Sequence, residues 1–232
     1  MGHKVKIAGK IREATFLERL NRFSALVAIE GSNEAVYLAN SGRMAELLQP
    51  GRKVLLEEKS DPHRKSSYDL IMVALGQKLV SVDARVPGKL VYEALMRGNL
   101  PHFDGYSSIL REATLGQSRL DFLLSNHSRY FLEVKSVTLV RQGKALFPDA
   151  PTSRGRRHLR ELIQAKQQGE EAGIIFIIQR EDACTFSPHD EMDPEFGRAL
   201  RQARERGVAV YAYRCRVSPE EITIAEEIPV LL

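Results

Sequence analysis

The chain has 232 residues, 34 Lys and Arg against 30 Asp and Glu, 43% hydrophobic side chains and a formal net charge of +4. That length holds one large or two small domains with an ample core, and its longest apolar runs, Leu70–Leu75 and Ile174–Ile178, are far too short to span a membrane. The start, Met1-Gly2-His3-Lys4-Val5-Lys6, lacks an apolar signal region, and Cys184 and Cys215 have no metal or disulfide spacing, so a cytoplasmic protein with two small buried thiols is expected.

Residues 5–82 read as short strands. Phe23, Ala25, Val27 and Ile29 alternate with their neighbours, Gly31-Ser32-Asn33 turns the chain, and Glu34–Leu38 follows. Asn40-Ser41-Gly42 breaks the pattern before a short helical stretch near Arg43–Leu48. Pro50-Gly51 then leads into strands at Lys53–Glu57 and Tyr68–Leu75. About five strands at this spacing predict a small Greek-key barrel of the OB type, an architecture that often binds nucleic acid and also serves as a purely structural module. Pro87-Gly88 marks the expected boundary, giving domains 1–86 and 87–232. The first holds 14 Lys and Arg against 10 Asp and Glu, the second 20 against 20, so the whole basic surplus lies in the first. Such a surplus suits a polyanion partner and equally suits ordinary solubility charge.

A helix over Lys89–Arg97 turns Leu90, Val91, Ala94 and Leu95 inward. Glu93 is either a third site acid or the middle of an i,i+4 ion-pair ladder, and the spacing favours the ladder. A strand at Tyr106–Thr114 precedes a hairpin made of Ser118–Leu124 and Tyr130–Val140, with turn chemistry at Ser125–Arg129. If the loop centres on His127, Asp121 and Glu133 fall opposite each other, and Lys135 projects from the same face as Glu133. Two carboxylates and an amine among Leu, Val and Phe require compensation. A divalent cation, Mg²⁺ or Mn²⁺, would supply it, and Lys135 neutralising two acids on a solvated face would also do so.

Gly143–Ala150 follows the hairpin, with Phe147-Pro148-Asp149-Ala150 as an irregular loop. Thr152 or Ser153 caps the next helix, which carries Arg154, Arg156, Arg157, His158, Arg160 and Lys166 against Glu161, with Leu159, Leu162 and Ile163 as its buried stripe. A one-signed run at a helix N-terminus favours phosphate contact. Gly173–Ile178 is a strand buried on both faces. A helix near Pro194–Arg206, a strand at Val208–Tyr213 and an extended piece at Ile222–Ile224 complete the α/β (α+β) reading.

Helix, three strands, helix, strand, with Asp on the second strand and Glu-x-Lys on the third, resembles the PD-(D/E)XK nuclease fold. Gly105-Tyr106-Ser107-Ser108, Ser118-Arg119-Leu120-Asp121-Phe122 and Glu133-Val134-Lys135-Ser136-Val137-Thr138-Leu139 resemble the sugar fermentation stimulation protein A (SfsA) family. Phe147-Pro148-Asp149-Ala150, Thr152, Arg154-Gly155, His158-Leu159 and Asn40-Ser41-Gly42-Arg43-Met44 carry the same likeness. Ala39 departs from it, standing where the family commonly has proline. The resemblance implies an OB-like nucleic-acid-binding domain followed by a PD-(D/E)XK nuclease-like mixed-sheet domain. It further implies DNA binding without sequence preference and a part in regulating sugar (maltose) metabolism. By position, Asp121 and Glu133 would be the metal acids, Lys135 the catalytic lysine, and Glu93 the acid that such folds place on the first helix. Two functions stay open: a DNA-binding protein whose nuclease-like fold serves binding, and an active divalent-metal-dependent DNA nuclease. A small-molecule sensor acting through a helix-turn-helix has no support in the sequence, and the oligomeric state is not legible there.

Overall fold

The computed structural model describes residues 4–232, so the reading of Met1–His3 lies outside the described residues. In chain order the strands of the first part are β1 (Lys4–Lys6), β2 (Ile11–Asn21), β3 (Ser24–Ile29), β4 (Ser32–Tyr37), β5 (Lys53–Glu58), β6 (Tyr68–Leu75) and β7 (Lys78–Ser81). β2, β3 and β4 form a meander, β5 returns antiparallel to β2, and β6 pairs with β5. A parallel bridge between Tyr37 of β4 and Asp69 of β6 closes the ring, giving a five-stranded barrel of the OB type with β7 as an added hairpin strand. The alternation in Ser24–Ile29 places Ala25, Val27 and Ile29 in the barrel core with Phe16, Leu38, Met44 and Leu56.

The stretch at Arg43–Leu48 closes one turn and no helix. Leu47 and Leu48 both donate to the Met44 carbonyl, and Met44 sits at φ +48°, a left-handed conformation that no L-residue helix propagates.

The second part comprises α1 (Val86–Met96), a 3₁₀ turn at Pro101–Phe103, β8 (Ser108–Leu115), β9 (Ser118–Ser125), β10 (Arg129–Val137), β11 (Val140–Arg141), β12 (Lys144–Phe147), α2 (Ser153–Gln167), β13 (Glu171–Ile178), β14 (Thr185–Pro188), α3 (Pro194–Glu205), β15 (Ala209–Val217) and β16 (Glu221–Glu227). Pro87 and Gly88 lie inside the first turn of α1, where an N–H would have no intrahelical acceptor and proline's lack of one costs nothing. The main sheet runs β1-β16-β15-β13-β10-β9-β8 and is mixed: β10, β13 and β15 are parallel, the outer pairs antiparallel. α1 buries Leu90, Val91 and Ala94 on the face bearing Leu132, Val134, Ile175 and Ile177. α2 and α3 cover the other face, with Leu159, Leu162 and Leu200 over Phe131, Ile174, Phe176 and Ile178. This is the PD-(D/E)XK nuclease-like arrangement expected from the order of elements.

Three features differ from the sequence reading. Lys144–Phe147 is a strand, paired parallel with β14, that the sequence reading does not assign, and it takes Phe147 out of the expected 147–150 loop. β1 joins the edge of the second sheet through Lys4–Thr223 and Lys6–Glu221 and takes no part in the barrel. Cys215 is buried as expected, but Cys184 is exposed, because it lies in the turn entering β14 beside Gly143.

Candidate active site

The hairpin register places Arg129 opposite Ser125 and Leu132 opposite Phe122, so its loop is centred on His127 and continuation brings Asp121 opposite Glu133. The ladder stops at Leu132–Phe122. Beyond it the Val134 N–H donates to Asp121 Oδ2 at 2.7 Å, a side chain replacing a main-chain acceptor. On the other side the β8–β9 ladder passes over the Glu112–Asp121 pair, and Glu112 adopts φ +56°. The Asp121 carboxylate therefore turns to the main chain of β10 at the point where both ladders leave its own pairing open.

Glu133 is 3% exposed and shares the strand face of Phe131, which α2 covers. Its Oε1 accepts from Lys135 Nζ at 2.5 Å and from His158 Nδ1 at 2.6 Å, while Oε2 is buried without a partner. Since an ionised carboxylate only accepts, the hydrogen of this bond sits on His158 Nδ1, leaving Nε2 to accept from Arg154 Nε at 3.3 Å. α2 is held in place for this by the Thr152 hydroxyl, which accepts the Gly155 N–H at 3.0 Å.

The two acids are driven apart electrostatically. Burial first, and then the neighbouring Glu133 charge, push the Asp121 carboxyl up to about 7. Burial would also raise Glu133, but Lys135 and the His158 hydrogen bond outweigh it and hold that carboxyl below the usual range. The cluster thus pairs a glutamate held in its ionised form with an aspartate that keeps its proton far more readily than usual.

Asp121, Glu133 and Lys135 open into a cleft of about 590 Å³ between the two domains. One wall comes from the 147–154 segment and the other from Arg22 and Asn40-Ser41-Gly42 of the barrel. The walls touch: Met44 N donates to Asp149 Oδ2 at 3.1 Å, and a Cβ added to Gly42 would stand 2.5 Å from the same oxygen. Only glycine permits that approach.

The remaining sequence candidates are dispersed. Glu93 is half-exposed and accepts from Arg97 at 3.4 Å, the i,i+4 pair; α1 packs on the sheet face opposite to α2, and Glu93 does not line the cleft. Arg154 lines the cleft and contacts His158. His158 is 1% exposed and bonded to Glu133. Arg156 is bound to the buried Asp193 at 2.8 Å, the residue that caps α3. Arg157 donates to Ser118 Oγ, and Arg157 and Arg160 are exposed. Sequence reading missed Arg22 and Asp149 as parts of the site. Asn-Ser-Gly and Pro-Asp signalled turns at both places, but nothing in the spacing signalled that two turns 105 residues apart meet.

The donor set fits a hard divalent cation. Glu133 Oε2 is a buried, unpartnered oxygen beside a second carboxylate, and such ions commonly take one or two protein carboxylates and fill the rest of their shell with water and phosphate. Among the described residues no group of three or more His, Cys, Asp or Glu side chains is arranged to hold an ion.

Comparison with known proteins finds relatives over the whole chain. Residues 17–82 match the SfsA N-terminal OB domain, and residues 85–221 match the sugar fermentation stimulation protein RE domain. The sugar fermentation stimulation protein homolog of Clostridium perfringens is 45% identical over 230 residues, 98% of this chain and 100% of that protein. The homolog of Caldanaerobacter subterraneus is 43% identical over 227 residues, covering 97% and 99%. The structure of Pyrococcus furiosus SfsA in complex with Ca²⁺ superposes with a TM-score of 0.92 at 32% identity, covering 100% of both chains. No helix among the described residues is long and apolar enough to cross a membrane. With both domain models matched and full-length relatives at this identity, the chain belongs to the sugar fermentation stimulation protein (SfsA) family.

Proposed function

We propose that this protein binds DNA without sequence preference and that its second domain is a divalent-metal-dependent nuclease. The observation carrying this reading is the convergence of Asp121, Glu133 and Lys135 in one cleft, with a buried carboxylate oxygen left unpartnered. Asp121 and Glu133 would hold Mg²⁺ or Mn²⁺, as the Ca²⁺ complex of the Pyrococcus furiosus relative suggests for a divalent ion. The ion supplies Lewis-acid polarisation of a phosphate oxygen and a more acidic water.

The chain's own groups do the rest. His158 fixes the rotamer of Glu133, so its carboxylate is set before substrate arrives. Lys135, tethered to Glu133 Oε1, is placed to orient the attacking water or to stabilise the developing phosphorane charge. Arg154, on the cleft wall, offers its guanidinium to a flanking phosphate. Arg157 and Arg160 extend a basic, exposed face along α2 for the sequence-independent part of the affinity.

Cleavage of plasmid and single-stranded DNA with Mg²⁺ or Mn²⁺ tests the reading. The parent should cut, EDTA should stop it, and Asp121→Asn and Lys135→Ala should each lose at least a hundredfold in rate. Metal-independent cleavage, or undiminished cutting by Lys135→Ala, refutes it. A second reading, a cytoplasmic DNA-binding regulator of sugar (maltose) metabolism that does not cut, rests on the family's description and on the basic face of α2. It is the surviving reading if the parent binds DNA but never cleaves it.

A further inference from the structure

The tip of the β2–β3 hairpin, Leu20-Asn21-Arg22-Phe23, projects from the barrel beside the cleft. Arg22 lines the cleft, and Phe23, 47% exposed, is the one aromatic among the large exposed hydrophobic side chains of the described residues. Leu20 beside it is 46% exposed. Leaving a phenylalanine half in water stabilises nothing in the fold.

The tip is nevertheless rigidly built. Phe23 N–H donates to Asn21 Oδ1 at 2.8 Å. Arg19 Nη2 donates to the carbonyls of Arg22 and Asn40 at 2.8 and 2.7 Å, and Nη1 to those of Gly42 and Arg43. One guanidinium thereby fastens the hairpin tip to the Asn40-Ser41-Gly42 wall. Asn40 in turn donates to the Val82 carbonyl and accepts from Gly42 N–H. An exposed cation on the cleft wall and an exposed aromatic ring at the next position of the same fastened hairpin tip are the two components of a single-strand subsite: a backbone contact and a stacking platform.

The cleft itself argues the same way. Its roughly 590 Å³ lies within the range of about 300–1,000 Å³ that encloses one small ligand. The Met44–Asp149 bond joins its walls on one side.

We propose that Arg22 and Phe23 form a subsite for single-stranded nucleic acid, Arg22 on a phosphate and Phe23 stacked on a base, that delivers an extended strand or a frayed end to Asp121 and Glu133. The inference rests on the DNA-binding and nuclease reading above and names its substrate class.

The test is fluorescence anisotropy in EDTA with a labelled 12-mer oligo(dT), its oligo(U) counterpart and a blunt 12-base-pair duplex, so that binding is read apart from cleavage. The parent should bind one or both single strands about tenfold more tightly than the duplex. Phe23→Ala and Arg22→Glu should each weaken single-strand binding roughly tenfold, Phe23→Trp should keep it, and all three should melt within a degree or two of the parent because both side chains are exposed. Unchanged single-strand affinity in both Phe23→Ala and Arg22→Glu overturns the inference, as does a parent that prefers the duplex; the nuclease reading survives either result if metal-dependent cutting persists. A parent that binds none of the three probes and cuts no DNA overturns both.

Discussion

Asp121 carries the sharpest electrostatic conflict in the molecule. Its folded carboxyl titrates at about 7 against an ordinary value of 3.8, because it is buried and faces Glu133. Between these values the folded protein holds a proton that the unfolded chain releases. The metal-free protein should therefore lose stability as pH rises from about 4 to about 7, and regain it when a divalent ion is added. Asp121→Asn removes the charge and can donate to Glu133. In EDTA at pH 8 it should be more stable than the parent by about 2 kcal/mol, roughly 4–8 °C in Tm, and it should show no metal-induced shift. Calorimetric titration with Mn²⁺ and melting curves from pH 4 to 8 read both effects; equal metal binding by parent and variant removes Asp121 from the ligand set. His158→Ala tests the support of Glu133. Losing a buried donor to a charged acceptor should cost about 1–3 kcal/mol and lower any cleavage rate, without abolishing binding of oligonucleotides.

At the scale of elements, α2 does three things with one run of basic residues. His158 points under the sheet face to Glu133, Arg156 turns to Asp193 at the start of α3, and Arg157 and Arg160 face solvent. A count of positive charge cannot separate these, but alanine substitution can. Arg156→Ala leaves Asp193 buried with one fewer partner and should lower Tm by several degrees, at about 1–3 kcal/mol. The Arg157→Ala/Arg160→Ala pair should leave Tm unchanged, reduce DNA affinity and flatten its salt dependence by about two counterions. If that double variant binds DNA with the parent's affinity and salt slope, the outer face of α2 is only a solvated surface.

For the whole molecule, the two domains share structure. Leu55, Ile71 and Met72 of the barrel belong to the same buried cluster as Leu90, Val91 and Leu132 of the second domain. β1 crosses over to cover the edge of β16, and Ser81 Oγ donates to Gln179 Oε1 at 2.8 Å in a buried contact. Buried Asp69 of the barrel accepts from Arg85 at the head of α1. Residues 87–232 expressed alone should consequently melt at least 10 °C lower than the full chain and self-associate, because they expose the β16 edge and the apolar face of α1's cluster. A monomeric, equally stable fragment would show that the shared core contributes little. Gly42→Ala probes the same joint from inside the cleft. Its Cβ would collide with Asp149, so it should disturb the wall and reduce cleavage more than it reduces overall stability.

The sequence by itself determined what depends on local pattern. Alternation placed β3, the turn residues around it bounded β4, β5 and β6 while β2 went unassigned, the all-apolar Gly173–Ile178 run marked the central strand, and the symmetry of the hairpin about His127 set Asp121 against Glu133. Those features follow from side-chain periodicity, which is fixed within a dozen residues. Only the tertiary structure decided what depends on contacts between distant segments. Glu93 and Glu133 are both acids of the second domain, yet they lie on opposite faces of a sheet, and periodicity does not say which helix covers which face. His158 reads as one more cation in a basic run until α2 docks and buries it against Glu133. The cleft wall formed by Arg22, Asn40 and Gly42 exists only because the barrel closes through Tyr37–Asp69 and then packs on the second domain. β1 belongs by sequence to the stretch of short strands that builds the barrel, but the edge of β16 recruits it, since open edge hydrogen-bonding groups are satisfied wherever a strand can reach them.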